Sequence, residues 1–412
     1  MIAVMKNMKD LARLAVRTGL NLQKGQTLVI NAPIECAEFA RRAAAEAYDA
    51  GARDAVINWN DERFSRLRFE RAPEEVFAEF PEWRFRFYMD YAKEGAAFLT
   101  VSAKDPEIFR GIESGRLLTA QQTAGMALAE YRERLMKNRN TWCIISVPTE
   151  NWAKKVFPEL PAHEAVERLW QEILHAVRIT GREDPVAAWE RHLGFLAKAA
   201  DFLNGHDFAS LHYRNKLGTD LTIELPEGHI WAGGAERSEK GIPFVANLPT
   251  EEVYTAPKRD GVNGVVTAVR PLVYQGNLIE NFRVEFKDGR VVNYSAERGE
   301  EHLKALFATD DGANYLGEVA LVPHDSPLSE SGVLFYNTLF DENASCHLAF
   351  GKAYPTCLKG GDQMLSLELL QHGLNDSLTH EDFMIGSEDL SITGKKKDGS
   401  EVPVFVNGNF AF

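Results

Sequence analysis

The sequence predicts an α/β N-terminal domain, a mostly parallel sheet with flanking helices, followed by an α+β, largely antiparallel C-terminal domain. Three observations predict this fold class. Strand and helix patterns alternate before residue 205, hairpin patterns dominate after it, and the chain of 412 residues exceeds the size at which a single core keeps growing. We therefore expect two domains, residues 1–205 and residues 206–412.

The first half opens with a strand–helix–strand unit. Its strands are predicted at 26–30 and 54–59, with an alanine-rich helix over 34–50 between them that Gly51 ends. This order predicts parallel strands joined by a right-handed crossover. The other predicted elements of this half are helices at 8–18, within 73–95 and within 116–138, and strands at 97–101 and 142–147. From 162 to 200 the pattern is helical, with a break near Gly181 and Pro185.

The second half is dominated by hairpin signals. A turn-rich segment, 215–220, separates two alternating runs, which predicts an antiparallel pair of strands at 208–212 and 221–225. Lys287-Asp288-Gly289 and Lys397-Asp398-Gly399 supply two further hairpin turns. The remaining predicted strands lie at 264–269, 282–286, 291–294, 390–392 and 402–406.

Composition and charge exclude several classes of protein. The formal net charge of −14 works against binding to nucleic acid or to an anionic membrane surface, so neither is an expected partner. No apolar run approaches the ~20 residues that cross a bilayer, and the N-terminus lacks the pattern of a signal peptide, so we expect a cytoplasmic location. No glycine-rich phosphate loop follows any predicted strand. The four cysteines lie at no metal-site spacing, and we expect reduced thiols.

The segment 341–355 predicts a short helix that could carry chemistry. Asp341 is its predicted N-cap, and Tyr354 ends it because a proline follows. At helical spacing, His347, Gly351 and Tyr354 share one face, and the bare glycine suggests room above it. Glu342 lies about 140° from His347 around an ideal helix, so the two would not share a face. Taken alone, His347 is more often a core histidine than a metal ligand.

Three further segments place acids or histidines outside a plain surface context. Neighbouring side chains of an extended segment point in opposite directions, so only one of Glu251 and Glu252 can face a given pocket. Glu318 begins an apolar strand and is either at its exposed end or buried with a partner such as a cation. His380 and Asp382 point to one side if their segment is extended, as a shared divalent ion requires. Each segment alone also fits an ordinary polar loop or strand end.

Together these segments supply the ligands for two neighbouring divalent cations. Carboxylates and imidazoles without thiolate suit zinc, cobalt or manganese. A pair of such ions activates a water molecule and polarises a carbonyl group. The residues alone do not fix which of these side chains meet in space.

The motifs resemble those of the M29 metallo-aminopeptidases, the thermophilic aminopeptidase family. The resemblance rests on Pro249–Pro257, Leu316–Leu321, Asp341–Tyr354 and His380–Asp382, and it extends over essentially the whole chain. It implies two divalent cations per chain, zinc, cobalt, manganese or magnesium, and a catalytic C-terminal domain. The implied metal ligands are Glu252, Glu318, Glu342, His347, His380 and Asp382. Tyr354 is the implied oxyanion donor, and Glu318 is the implied aid to proton transfer.

The same resemblance implies a peptide substrate with a free N-terminus and a homodimer with an enclosed catalytic chamber. Two alternatives stay open. One is another metal-dependent amidase or dipeptidase, which would change the bond that is cleaved. The other is a non-catalytic metal-binding protein on the same fold, against which the full set of candidate ligands and Tyr354 argue.

Overall fold

The computed structural model of the protein describes residues 2–274 and 277–412. They form two compact units, one of Met1–Arg191 with Ala235–Pro249 and one of His192–Gly234 with Thr250–Phe412. The chain passes from one unit to the other inside a helix, Pro185–His206. The division into domains of residues 1–205 and 206–412 stays a prediction.

The first unit is built on a four-stranded sheet whose pairings are all parallel. Its strands are β1 Thr27–Pro33, β2 Asp54–Asn60, β3 Ala97–Val101 and β4 Trp142–Ile145, in the order β2-β1-β3-β4. A helix connects β1 to β2, as the strand–helix–strand pattern predicts. Leu28, Val29 and Ile30 of β1 are completely buried because helices cover both faces of a parallel sheet.

Nine helices belong to this unit or leave it. They are α1 Ile2–Leu14, α2 Ala37–Asp49, α3 Glu62–Arg71, α4 Glu82–Lys93, α5 Ser114–Ala127, α6 Ala129–Met136, α7 Glu150–Val156, α8 Ala162–Ala176 and α9 Pro185–His206, within the described residues. Alanines 40, 43 and 47 form the buried stripe of α2. Over the described ranges, none of the helices is long and apolar enough to cross a membrane.

The second unit contains two antiparallel sheets. The larger has nine strands and includes the predicted hairpins: β5 Ser210–Arg214, β6 Asp220–Glu224, β11 Val262–Thr267, β12 Leu272–Tyr274, β13 Asn277–Lys287, β14 Arg290–Arg298, β18 Ser391–Lys395, β19 Glu401–Val406 and β20 Asn409–Phe410. The smaller sheet has the order β17-β16-β15-β10-β7. Its strands are β7 Ala232–Gly233, β10 Val253–Thr255, β15 Leu316–Leu321, β16 His347–Gly351 and β17 His380–Met384.

A single hydrophobic core joins the two sheets of this unit. The ring of Phe383 in β17 stacks on Phe350 of β16, with centroids 4.4 Å apart, and lies 5.6 Å from Phe282 of β13. Short helices close the unit at its edges: α10 Glu300–Phe307, α11 Pro327–Ser331, α12 Thr338–Asp341 and α13 Ser366–Gln371. Two short strands, β8 Glu236–Arg237 and β9 Pro243–Phe244, pair within the first unit.

The predicted helix over 341–355 is wrong. Helix α12 ends at Asp341, a 3₁₀ turn covers Glu342–Ala344, and His347–Gly351 is strand β16. All five residues of β16 are buried, so the strand shows none of the alternation that would separate it from a buried helix. His347 and Gly351 still share a side, but through the two-residue period of a strand.

Gly351 also has a different role from the predicted one. Its φ is +100°, and a Cβ at this position would lie 2.2 Å from the Thr379 carbonyl oxygen. The glycine therefore permits the close approach of neighbouring backbone, since any larger residue would be both strained and obstructed. It does not leave open space above a helix face.

Candidate metal centre

The candidate site lies on one face of the smaller sheet. Residues paired directly across antiparallel strands point to the same side, so Glu318 of β15, Ala349 of β16 and Asp382 of β17 form one row on this site face. His347 and His380 follow at alternate positions of their strands and lie on the same face. The small side chain of Ala349 between two carboxylates leaves volume above the sheet.

A β-bulge at Gly317 turns Glu318 toward this face. Leu316 pairs with Phe350, and Glu318 pairs with Ala349. Two steps along β15 therefore match one step along β16, and Gly317 is the extra residue. Leu316 therefore points into the core with Phe350, whereas Glu318 points to the site face. Gly317 is required at the bulge because a Cβ there would lie 2.4 Å from the Gly351 carbonyl oxygen.

Glu251 and Glu252 point in opposite directions, as the sequence predicts. The Oε2 atom of Glu252 lies 3.2 Å from Nε2 of His347. Glu251 instead faces His192, with its Oε2 3.7 Å from Nε2 of that ring. Both glutamates are buried, so the alternative of two exposed acids in a loop is excluded.

Each histidine of the site is oriented by a backbone carbonyl. The Nδ1–H of His347 donates to the Ser345 carbonyl at 3.1 Å, and that of His380 donates to the Lys352 carbonyl at 2.7 Å. With Nδ1 used in this way, Nε2 of each ring faces the site and presents a lone pair there whenever the ring is neutral. This is the usual arrangement of metal-binding histidines.

The ligand atoms form two groups that share one residue. Atoms of Glu252, Glu318 and His347 lie within 4.8 Å of one another, and so do atoms of Glu318, His380 and Asp382. The two oxygens of Glu318 are divided between the groups. Oε1 lies 3.4 Å from Nε2 of His347, and Oε2 lies 3.4 Å from Nε2 of His380.

Two buried carboxylate oxygens of the site show that cations fit it. Within the described chain, Oε2 of Glu252 and Oδ1 of Asp382 have no hydrogen-bond partner. Each faces a histidine Nε2, at 3.2 and 3.4 Å, so against a neutral ring the lone pairs of the carboxylate and of Nε2 would face each other. A buried carboxylate without a partner is costly, and a cation between these atoms would satisfy both.

The pKa values of the site residues are shifted because several acids and histidines lie close together and away from solvent. Burial opposes a charge on His347, but the Glu252 and Glu318 carboxylates outweigh it and raise the pKa of its ring well above the ordinary value. Burial raises the pKa of Glu252. Burial also disfavours the Glu318 charge, yet hydrogen bonds to His347 and His380 lower the pKa of Glu318 to about 2. Glu318 therefore holds its ionised form more firmly than Glu252 does.

Glu342 and Tyr354 border this cluster. Burial, followed by the charges of Asp382 and Glu252, raises the pKa of Glu342 well above its usual range, although Glu342 belongs to neither group of atoms. The ring of Tyr354 meets that of His380 edge to face, with centroids 5.2 Å apart. Burial and the surrounding carboxylates, Glu318 first, raise the pKa of Tyr354, so its hydroxyl keeps its proton.

The structure thus brings together all seven residues that the sequence singles out for the site. Sequence reasoning missed Asn343, a completely buried amide that contacts two of the acid-bearing segments. It also missed His192, which contacts the segment before Glu252. A lone asparagine beside an acid reads as an ordinary turn residue, so the sequence carries no signal for its role.

A buried set of acids and histidines with two ligand groups, on a fold without a phosphate loop, is typical of metal-dependent hydrolases. A family model described as thermophilic metalloprotease (M29) matches residues 4–410. Aminopeptidase 2 of Geobacillus stearothermophilus is 50% identical over 407 residues, which are 99% of this chain and 98% of that protein. Aminopeptidase AmpS of Bacillus subtilis (strain 168) is 48% identical over 401 residues, 97% of each chain.

Comparison of the fold with solved structures points to the same family. The structure of wild-type AmpT from Thermus thermophilus matches with a TM-score of 0.93 and 42% identity over 99% of each chain. The chain belongs to the M29 family of metalloproteases, and it is an enzyme that hydrolyses peptide bonds. The resemblance and the fold class predicted from the sequence are confirmed.

Proposed function

We propose that the protein is an aminopeptidase that releases N-terminal amino acids from peptides with the help of two divalent cations. The observation that carries this proposal is the division of Glu318 between two groups of ligand atoms. A carboxylate with one oxygen in each group would be a ligand common to both cations. The names of the relatives, which are aminopeptidases, support the choice of reaction.

The six predicted ligands would hold the cations. Glu252 and His347 would complete one site and His380 and Asp382 the other, with Glu318 common to both. Glu342 stands close enough for its charge to act on the cluster and would serve as a further ligand. Its charge and those of Glu252, Glu318 and Asp382 balance two divalent ions when all four acids are ionised.

When bound, two such cations would lower the pKa of a water molecule and polarise the scissile carbonyl. Tyr354 would donate its O–H to the oxyanion that develops on that carbonyl. The raised pKa of Tyr354 keeps this donor protonated. Glu318 remains the predicted aid to proton transfer, although its shared position supports a ligand role more directly.

The free amino terminus of a peptide would be held by one of the cations or by a nearby acid. A blocked N-terminus would lose that contact. We therefore favour an exopeptidase over an amidase that accepts blocked substrates. Zinc, cobalt, manganese and magnesium remain the candidate metals, and a cytoplasmic homodimer is the proposed state of the enzyme.

The proposal is tested by metal content together with substrate choice. Elemental analysis of the purified chain should give two divalent ions per chain. Leucine amide should be hydrolysed, and this activity should disappear after chelation. Each of the four candidate metals is then added back separately to find which one restores the activity. N-acetyl-leucine amide is the matched control and should not be cleaved.

Three results would each overturn a different part of the proposal. Full activity with fewer than two ions per chain would exclude the paired site. Cleavage of the acetylated substrate at a similar rate would identify another metal-dependent amidase. Two bound ions without hydrolysis of any peptide or amide would identify a non-catalytic metal-binding protein.

A further inference from the structure

Two of the proposed ligands, Glu252 and Glu342, lie outside the strands of the site, and one buried side chain contacts both segments. The Oδ1 atom of Asn343 accepts the Glu251 backbone N–H at 2.8 Å. Its Nδ2 donates to the Leu339 carbonyl at 3.1 Å and lies 3.4 Å from Oε1 of Glu342. We propose that Asn343 is a positioning residue that holds Glu252 and Glu342 in place for cation binding, an inference that rests on the proposed metal-dependent function.

The peptide group that joins Thr250 to Glu251 is held by side chains at both its N–H and its carbonyl. Asn343 binds the N–H of Glu251, and Nε2 of His192 lies 2.8 Å from the Thr250 carbonyl oxygen. Strand β10 begins only at Val253, after Glu252. The direction of the Glu252 side chain therefore depends on these two contacts as well as on the first residues of the strand.

The Asn343 amide has only one orientation that satisfies its partners. Its oxygen must face the Glu251 N–H, and its nitrogen must face the Leu339 carbonyl. This orientation turns the N–H₂ group toward Oε1 of Glu342, which accepts from it at 3.4 Å. One amide thus couples the position of the Glu252 backbone to that of the Glu342 side chain.

The chain offers a matched control in Asn375. This residue is also buried, and its Nδ2 donates to the carbonyls of Gly312 and Gly351 at 2.8 and 2.7 Å. Its Oδ1 accepts from Nε of Arg259 at 3.0 Å. Its partners lie around the end of β16 that leads to Tyr354, and not on the segments of Glu252 and Glu342.

The test compares Asn343→Ala with Asn375→Ala. Zinc affinity of the metal-free chain is measured by competition with a fluorescent chelator, and folding is checked by circular dichroism and thermal unfolding. Asn343→Ala should weaken zinc binding by about 10- to 100-fold, the effect typical of groups that orient metal ligands. Asn375→Ala should stay within about threefold of the parent, although both variants lose buried hydrogen bonds.

Activity gives a second, independent readout. A saturating zinc concentration should restore kcat of Asn343→Ala to within about threefold of the parent, since the missing group only orients ligands. The same addition should not change kcat of Asn375→Ala. If Asn343→Ala does not fold, Asn343→Ser takes its place with the same expected loss of zinc affinity.

The proposal is overturned if a folded Asn343 variant binds zinc as tightly as the Asn375 variant. It is also overturned if excess zinc leaves the Asn343 variant at its reduced kcat. Failure of the proposed function looks different. In that case the parent chain hydrolyses no peptide, but the difference in zinc affinity between the two variants is still observed.

Discussion

The candidate ligands fall into two kinds that differ in how the fold holds them. Glu318, His347, His380 and Asp382 project from neighbouring strands, and the register of the sheet sets the spacing between their side chains. Glu252 and Glu342 project from a segment before a strand and from a 3₁₀ turn. The strand-borne ligands depend on backbone pairing, whereas the other two depend on a few side-chain contacts. Mutations should therefore affect the two kinds in different ways.

Replacement of the shared carboxylate gives the largest expected effect. Glu318→Gln removes the one residue that reaches both ligand groups, so both ions should be lost and hydrolysis of leucine amide should fall by at least about 10⁴-fold. Elemental analysis measures the loss of ions, and kcat/KM measures the loss of hydrolysis. Two ions retained per chain in this variant would show that Glu318 does not bridge them.

Disruption of strand packing should act on stability. In Gly351→Ala, the added Cβ meets the Thr379 carbonyl at 2.2 Å with φ at +100°, and the free energy of unfolding should fall by about 2–4 kcal/mol. Urea denaturation measures this free energy of unfolding. Gly399→Ala is the matched control, because its φ is +86° but nothing lies within 4 Å, and about 1 kcal/mol is expected there. Equal losses in the two variants would contradict the packing role of Gly351.

Loss of the phenol hydroxyl should separate chemistry from metal binding. Tyr354→Phe removes the proposed oxyanion donor, which should lower kcat by about 10²-fold. Metal content should stay at the parent value, because the proposal gives Tyr354 the role of a hydrogen-bond donor and not of a metal ligand. Steady-state kinetics and elemental analysis measure the pair of quantities. An unchanged kcat would remove Tyr354 from the mechanism.

The two loop-borne acids should give the smallest and most graded effects. Glu342→Gln removes a charge that lies outside both ligand groups, so zinc affinity should fall by about tenfold. Glu252→Gln removes a member of one group and should cost closer to about 100-fold. Chelator competition on the metal-free variants measures both. A larger loss for Glu342→Gln would make Glu342 a primary ligand and Glu252 the weaker one.

Much of the fold follows from the sequence because its signals are local. The parallel strands β1 and β2 lie on either side of a helix with an alanine stripe, and each hairpin of the larger sheet carries its own turn residues. The sequence also predicts that His380 and Asp382 lie on one side of their segment, because this signal is local as well. A spacing of two places both side chains on one face of any strand.

The features that the sequence does not predict depend on contacts between distant segments. The apolar run of β16 is buried on both faces, so its pattern does not separate strand from helix, and the predicted helix is wrong. The sequence pattern predicts Gly351 on a helix face, but its role is set by Thr379, which is distant in sequence. Asn343 was missed because its partner in the Glu252 segment lies 92 positions away.

The bulge at Gly317 has a consequence for how this strand can change during evolution. A strand has two alternating sets of positions, and the bulge exchanges them within a single residue. Deletion of Gly317 would make Leu316 and Glu318 neighbours in regular alternation, so Leu316 would still face the core and Glu318 would still face the site. Deletion of a residue after Glu318 would instead reverse the faces of the residues that follow it, so the effect of a one-residue deletion in β15 depends on whether it falls at the bulge or beyond it.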